Sequence, residues 1–107
     1  MDFNVIREYM KALSFEALRT DCDNFFEGVI IKQEIDKLNF QLKSLLGEPV
    51  YPSKNRLAHK VQKSIDGFGG IIAGQTLYYK DLGSDSILVM LWPWKDGQRT
   101  TVKIIQQ

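Results

Sequence analysis

Few residues in this 107-residue chain have the types and spacing that catalysis needs. Cys22 and His59 are the one cysteine and the one histidine, so they alone could form a thiol–imidazole pair. Such a pair works when the imidazole takes the thiol proton. Neither residue sits in a local signature of a thiol enzyme. Cys22 also lies beside Asp21 and Asp23, whose charges oppose a thiolate. None of Ser14, Ser44, Ser53, Ser64, Ser84 and Ser86 sits in a Gly-x-Ser-x-Gly elbow. Asp21 with Asp23 is the nearest thing to a carboxylate metal site, but it lacks the glycine and closing glutamate of a calcium loop. The run from Gly67 to Gly74 resembles a phosphate loop only superficially. Ile72 stands where Gly-x-Gly-x-x-Gly needs its last glycine, and the run precedes a strand rather than a helix. It reads instead as a helix C-cap and tight turn. No catalytic residue, metal site or cofactor is expected, and an enzyme with an unrecognised site is the least supported of three readings.

Two constellations carry more. Arg56, His59, Lys60 and Lys63 recur at i, i+3, i+4 and i+7, so on a helix they form one basic stripe, with Lys54 adding charge at its start. A stripe of this kind can grip phosphates, which makes nucleic-acid or phosphate-ligand binding the alternative reading. It is also the ordinary solvated face of an amphipathic helix. The second constellation is aromatic: Tyr78, Tyr79, Trp92 and Trp94 on strand-like segments, with Arg99 across a turn. Tryptophan, tyrosine and arginine are the usual anchors of protein interfaces. They also serve as core or as cross-strand pairs. Phe40 joins the interface candidates because it points away from the apolar seam of its own helix. The leading reading is a non-enzymatic domain acting by protein–protein contact, a homodimer or a complex with another protein. Its surface is expected to be formed by Phe40, Tyr79, Trp92, Trp94 and Arg99.

The elements that must position these residues follow from periodicity. Asp2 can cap a first helix whose apolar residues Phe3, Ile6, Met10, Leu13 and Ala17 share one side. This helix is expected to reach about Leu13, with Ser14 extending it to about Arg19. Asn24 and Glu27 have capping-box spacing, so a second helix can start there. Alternatively, residues 25–31 form a short strand, since Val29-Ile30-Ile31 is β-branched and Gly28 weakens a helix. From Ile31 to Leu46 the helical repeat is clear, through Ile35, Leu38, Leu42 and Leu45, and Gly47 then Pro49 end it. Ser53 caps a third helix to about Ile65, with Leu57, Val61 and Ile65 inward. Strands follow near Ile71–Lys80, Ser86–Trp94 and Arg99–Gln106. The expected class is α+β in one domain spanning 1–107: two or three N-terminal helices over about 2–66, packed on one face of an antiparallel meander over about 68–107. The meander has three strands, or four if residues 25–31 join it.

The last hairpin has a register problem. A two-residue Asp96-Gly97 loop asks Pro93 for an N–H it does not have. A three-residue loop with a glycine bulge spares the proline and groups Val102 and Ile104 with Leu88, Met90 and Trp92. A four-residue loop also spares it, and groups Val102 and Ile104 with Ile87, Val89 and Leu91. One residue of slip exchanges the two faces. In every register the middle strand is apolar on both sides. Its second face therefore needs another layer, a partner, or long side chains such as Lys103 and Arg99 lying over it.

Composition sets the limits. Hydrophobic residues are 44% and charged residues 25%, as in ordinary globular proteins. The net charge of +1 gives no general pull toward nucleic acid or membrane. Residues 1–50 hold six Lys/Arg against nine Asp/Glu, and residues 51–107 hold eight against four. The longest apolar run, Ile87–Trp94, is far short of a membrane span. The start of the chain does not read as a secretion signal. No internal disulfide is possible with one cysteine, so a cytoplasmic location is expected.

Overall fold

The computed structural model describes residues 3–22, 24–51, 59–67 and 74–107. The elements run α1 (Phe3–Lys11), β1 (Phe15–Asp21), β2 (Phe25–Ile31), a single 3-10 turn (Lys32–Glu34), α2 (Ile35–Leu46), α3 (His59–Asp66), β3 (Thr76–Asp81), β4 (Ser86–Pro93) and β5 (Arg99–Gln106). The class is α+β with an antiparallel sheet, as expected. The sheet has five strands, in the order β1-β2-β5-β4-β3, rather than three or four.

Two segments explain the count. Residues 25–31 form the strand expected as the alternative to a helix start, and Asn24 caps no helix; its carbonyl accepts the N–H of Gln106 at 3.0 Å. The span Phe15–Arg19, expected as helix, belongs to strand β1. Helix α1 buries Phe3, Ile6 and Met10 and stops at Lys11. Beyond it, Phe15 packs its ring against Phe26, edge to face with centroids 5.5 Å apart. Ala17, which fitted the helical repeat, is exposed. Pairing with β2 thus outweighs a weak local preference for helix. The expected helical region at 2–66 therefore contains two of the five strands.

The helices are also not confined to one face. One core joins Phe3, Ile6 and Met10 of α1 and Leu38, Leu42 and Leu46 of α2 to Phe26, Ile30, Tyr78, Ile87, Val89, Leu91, Val102 and Ile104 of the sheet. On the opposite face Val61 and Ile65 of α3 cover Leu77, Leu88, Met90 and Ile105. The doubly apolar strand β4 is thereby sandwiched. Residues 48–51 carry the chain from α2 to the other side by way of the β3 edge. Gly47 starts this turn with φ at +84°, where its N–H still bonds the Lys43 carbonyl at 2.9 Å. Tyr51 then bridges Leu77 through backbone bonds of 2.9 and 3.3 Å, which covers that edge at one position. The β1 edge is blunted differently, by irregularities between Phe15 and Ala17 and between Leu18 and Thr20.

The hairpin register is resolved. Pro93 lies opposite Thr100 and Trp92 opposite Thr101. The Trp94 N–H bonds the Arg99 carbonyl at 2.8 Å, so the loop is the four-residue one, Lys95–Gln98. That puts Pro93 where no N–H is asked of it. Asp96 holds the loop by accepting the N–H of Gln98 at 2.8 Å and of Arg99 at 3.2 Å. Among the described residues, no helix is long and apolar enough to cross a membrane.

Candidate protein-contact surface

The register decides what stands on the sheet face that carries α3. Met90, Trp92 and Trp94 alternate outward on that side of β4, and Arg99, Thr101 and Lys103 on that side of β5. Among the described residues, Val61 and Ile65 of α3 cover the part of this face nearer β3 and the start of β4, and long side chains span part of the rest. The Trp94 indole crosses β5, and its Nε1–H donates to Thr101 Oγ1 at 2.8 Å. Two guanidinium carbons sit near its ring centroid, Arg99 at 5.7 Å and Arg19 at 5.8 Å. Beneath it, the paired residues Val29 and Thr101 are 2% and 6% exposed. Next to it, Lys103 Nζ lies 3.7 Å from the Trp92 ring centroid, inside cation–π range.

Each arginine is fixed by acids. Arg99 Nε bonds both carboxylate oxygens of Glu16, at 2.9 and 2.8 Å, and its Nη1 reaches Asp96 at 2.8 Å. Arg19 Nη1 lies 3.3 Å from Glu27. The Glu16 contact, then Asp96, raises the Arg99 pKa above its ordinary value. The Gln98 N–H, then the Arg99 guanidinium, holds the Asp96 carboxyl below its ordinary value. The result is two arginines and their three carboxylates around a Trp94 indole that is 36% exposed, with Lys103 over the neighbouring Trp92 ring. Such a plate is charge-balanced. It offers no nucleophile with a base beside it.

The structure brings together four of the five expected contact residues only in part. Trp94 and Arg99 form this plate with Trp92 at its inner border, where Trp92, like Tyr79, packs against the α3 cluster on the same face. Phe40 stands on the outer side of α2, beyond the opposite face of the sheet, and is 70% exposed. Glu16 and Arg19 are not among the expected contact residues because the helical repeat places them on a helix, and Glu27 is not because its segment reads equally as helix or strand. The β1 irregularities leave Glu16 and Arg19 outside the strand pairing, and Arg19 lies over the indole while Glu16 reaches Arg99. A faint signal existed: two seven-residue runs, Phe15–Asp21 and Phe25–Ile31, separated by turn-forming residues including Asn24, are spaced as a hairpin.

Of the basic stripe, His59, Lys60 and Lys63 are exposed on α3, while Lys54 and Arg56 lie outside the described residues. Lys60 is closed onto Asp81 at 2.6 Å. That contact raises the Lys60 pKa and, together with the Gly83 N–H, lowers that of Asp81. The Gly67–Gly74 run is described only at its ends. Asp21 spends its charge on Lys11 at 3.1 Å and Arg7 at 3.5 Å. Among the described residues, no three His, Cys, Asp or Glu side chains gather where they could hold a metal ion. No family model, curated protein or solved structure matches this chain.

Proposed function

We propose that this chain is a cytoplasmic, non-enzymatic protein that acts by protein–protein contact, and that it meets a second copy of itself through the Trp92–Trp94–Arg99 plate. The observation that carries this reading is the fixed, part-exposed Trp94 indole, bonded to Thr101 and set beside Arg19 and Arg99. An interface pays for every side chain it must immobilise, and here that ordering is already done in the single chain. The residue types are those that dominate interface energetics. The alternating charges suit a two-fold partner, which can set each arginine against the other copy's carboxylates. The basic stripe on α3 supports an anion-binding reading less well, because Lys60 is engaged by Asp81.

The test is solution mass by light scattering across a tenfold dilution series, with circular dichroism as the check on folding. A self-associating wild type is expected, and Trp94→Ala should weaken that association by roughly 2 kcal/mol or more. A folded Trp94→Ala protein with the wild-type mass profile would sink the reading.

A further inference from the structure

The outer face of α2 is not used by the sheet-face contact. Its inner face buries Leu38, Leu42 and Leu46, and Phe40 stands on the other side, 70% exposed. Beside Phe40 is an open hollow of about 390 Å³ lined by Leu13, Asp36, Lys37, Phe40 and Gln41. Asp36, Phe40 and Lys43 are spaced i, i+4 and i+7, so they form one stripe along the helix: acid, aromatic, base. The charges at its two ends are the available ones. Lys37, next to Asp36, is held by Glu34 at 3.1 Å. Lys43 only grazes Glu48, at 4.0 Å, and Asp36 has no ion pair among the described residues.

We propose that α2 docks on α2 of a second copy, antiparallel across a two-fold axis near Phe40. An acid–aromatic–base stripe is its own complement under that symmetry. The two Phe40 rings meet at the axis, each beside the other copy's hollow, and each Asp36 faces the other copy's Lys43. Asp36 lies four residues before Phe40 and Lys43 three after it. At about 1.5 Å of rise per residue the opposed charges are offset by only about 1.5 Å, within reach of a lysine. A parallel arrangement would set Asp36 on Asp36 and Lys43 on Lys43. This contact and the Trp94 plate lie on opposite sides of the sheet, so one does not block the other, and neither depends on the other.

Charge reversal tests it at positions where the fold is not at stake. The measurement is sedimentation equilibrium of the full chain carrying Trp94→Ala, which silences the sheet-face contact; Arg99→Glu replaces that variant if it fails to fold. In this background a residual monomer–dimer equilibrium is expected. Asp36→Lys and Lys43→Asp should each weaken it about tenfold, since two attractive pairs per dimer become two repulsive ones. Combining the two reversals should restore the affinity to within about threefold of the parent, because the stripe is again its own complement. Phe40→Ser should abolish the association. The proposal is overturned by a background protein that stays monomeric at every concentration, by single reversals without effect, or by a double reversal that fails to rescue. Failure of the Trp94 plate reading alone would show as an unchanged mass on Trp94→Ala with the reversals still active.

Discussion

Gly28→Ala tests the least expected part of the fold, the β1–β2 pairing. Gly28 is a buried strand residue opposite Leu18. A Cβ built there would lie 2.7 Å from Phe15 Cδ2, 3.0 Å from Phe15 Cε2 and 3.2 Å from the Ala17 carbonyl oxygen. Ordinary contact begins at 3.4 Å, so the ring must retreat by about 0.7 Å. It is not free to do so, because its other neighbour is the Phe26 ring, packed edge to face at an interplanar angle of 75°. Overpacking of this kind costs about 1–3 kcal/mol. Replacing glycine also restricts the unfolded chain and returns about 0.4–1 kcal/mol. The expected net loss is about 1–2 kcal/mol, read from urea unfolding followed by circular dichroism. The midpoint of thermal unfolding should fall about 4–8 °C per kcal/mol. The control is the double variant with Phe15→Leu. A smaller side chain leaves room, so Gly28→Ala should cost at least about 1 kcal/mol less in that background than in the wild type. A Gly28→Ala protein as stable as the wild type, or two substitutions that simply add, would refute the placement of Phe15 over Gly28 and with it the register of β1.

Three further outcomes are expected. Trp94→Phe keeps a ring beside Arg19 and Arg99 but deletes the donor to Thr101, and should lower unfolding stability by about 1 kcal/mol. Tyr78→Phe removes the 2.8 Å bond to Asn39 and should cost a similar amount, about 1 kcal/mol. In the wild type, burial pushes the Tyr78 phenol above its ordinary pKa, so the difference between the ultraviolet titrations of wild type and Tyr78→Phe should show this phenol ionising above the ordinary tyrosine value. The Lys60–Asp81 pair should shape the stability profile at both ends of the pH scale. The Asp81 pKa is lowered on folding, so its contribution is present above the ordinary carboxylate value and is lost as pH falls through the folded value. The Lys60 pKa is raised, so its contribution is present below the ordinary lysine value and is lost as pH rises through the folded one. Lys60→Met should flatten both limbs of the urea-midpoint profile, and an unchanged profile would mean the pair is not populated in solution.

The expected contact residues divide according to what each depended on. Residue type and position on a hairpin single out Trp92, Trp94 and Arg99, and the register sets them on one face. Their actual neighbours were not legible, because Glu16 and Arg99 lie at opposite ends of the chain. The irregularities at Glu16 and Arg19 exist only once β1 pairs with β2. Phe40 was correctly read as pointing away from its helix seam, but periodicity carried no information about which side of the sheet that helix would occupy.

The sequence by itself determined the elements whose local signals agree. Leu38 and Leu42 with Gly47 specify the main body and the end of α2, and Val61 with Ile65 gives the inner side of α3. The runs Ser86–Pro93 and Arg99–Gln106 specify two strands and require cover on both faces of β4. In each case the information is a repeat within a few residues, and local backbone preference and burial point the same way. Only the tertiary structure decided that Phe15–Asp21 is a strand, that the last loop has four residues, and that the helices divide between the two faces. Those outcomes rest on contacts between segments far apart in the chain: Phe15 over Gly28, β5 inserted between β2 and β4, and residues 48–51 passing round the β3 edge. Where local preferences nearly balance, a distant partner supplies the deciding free energy, and no window of neighbouring residues contains it.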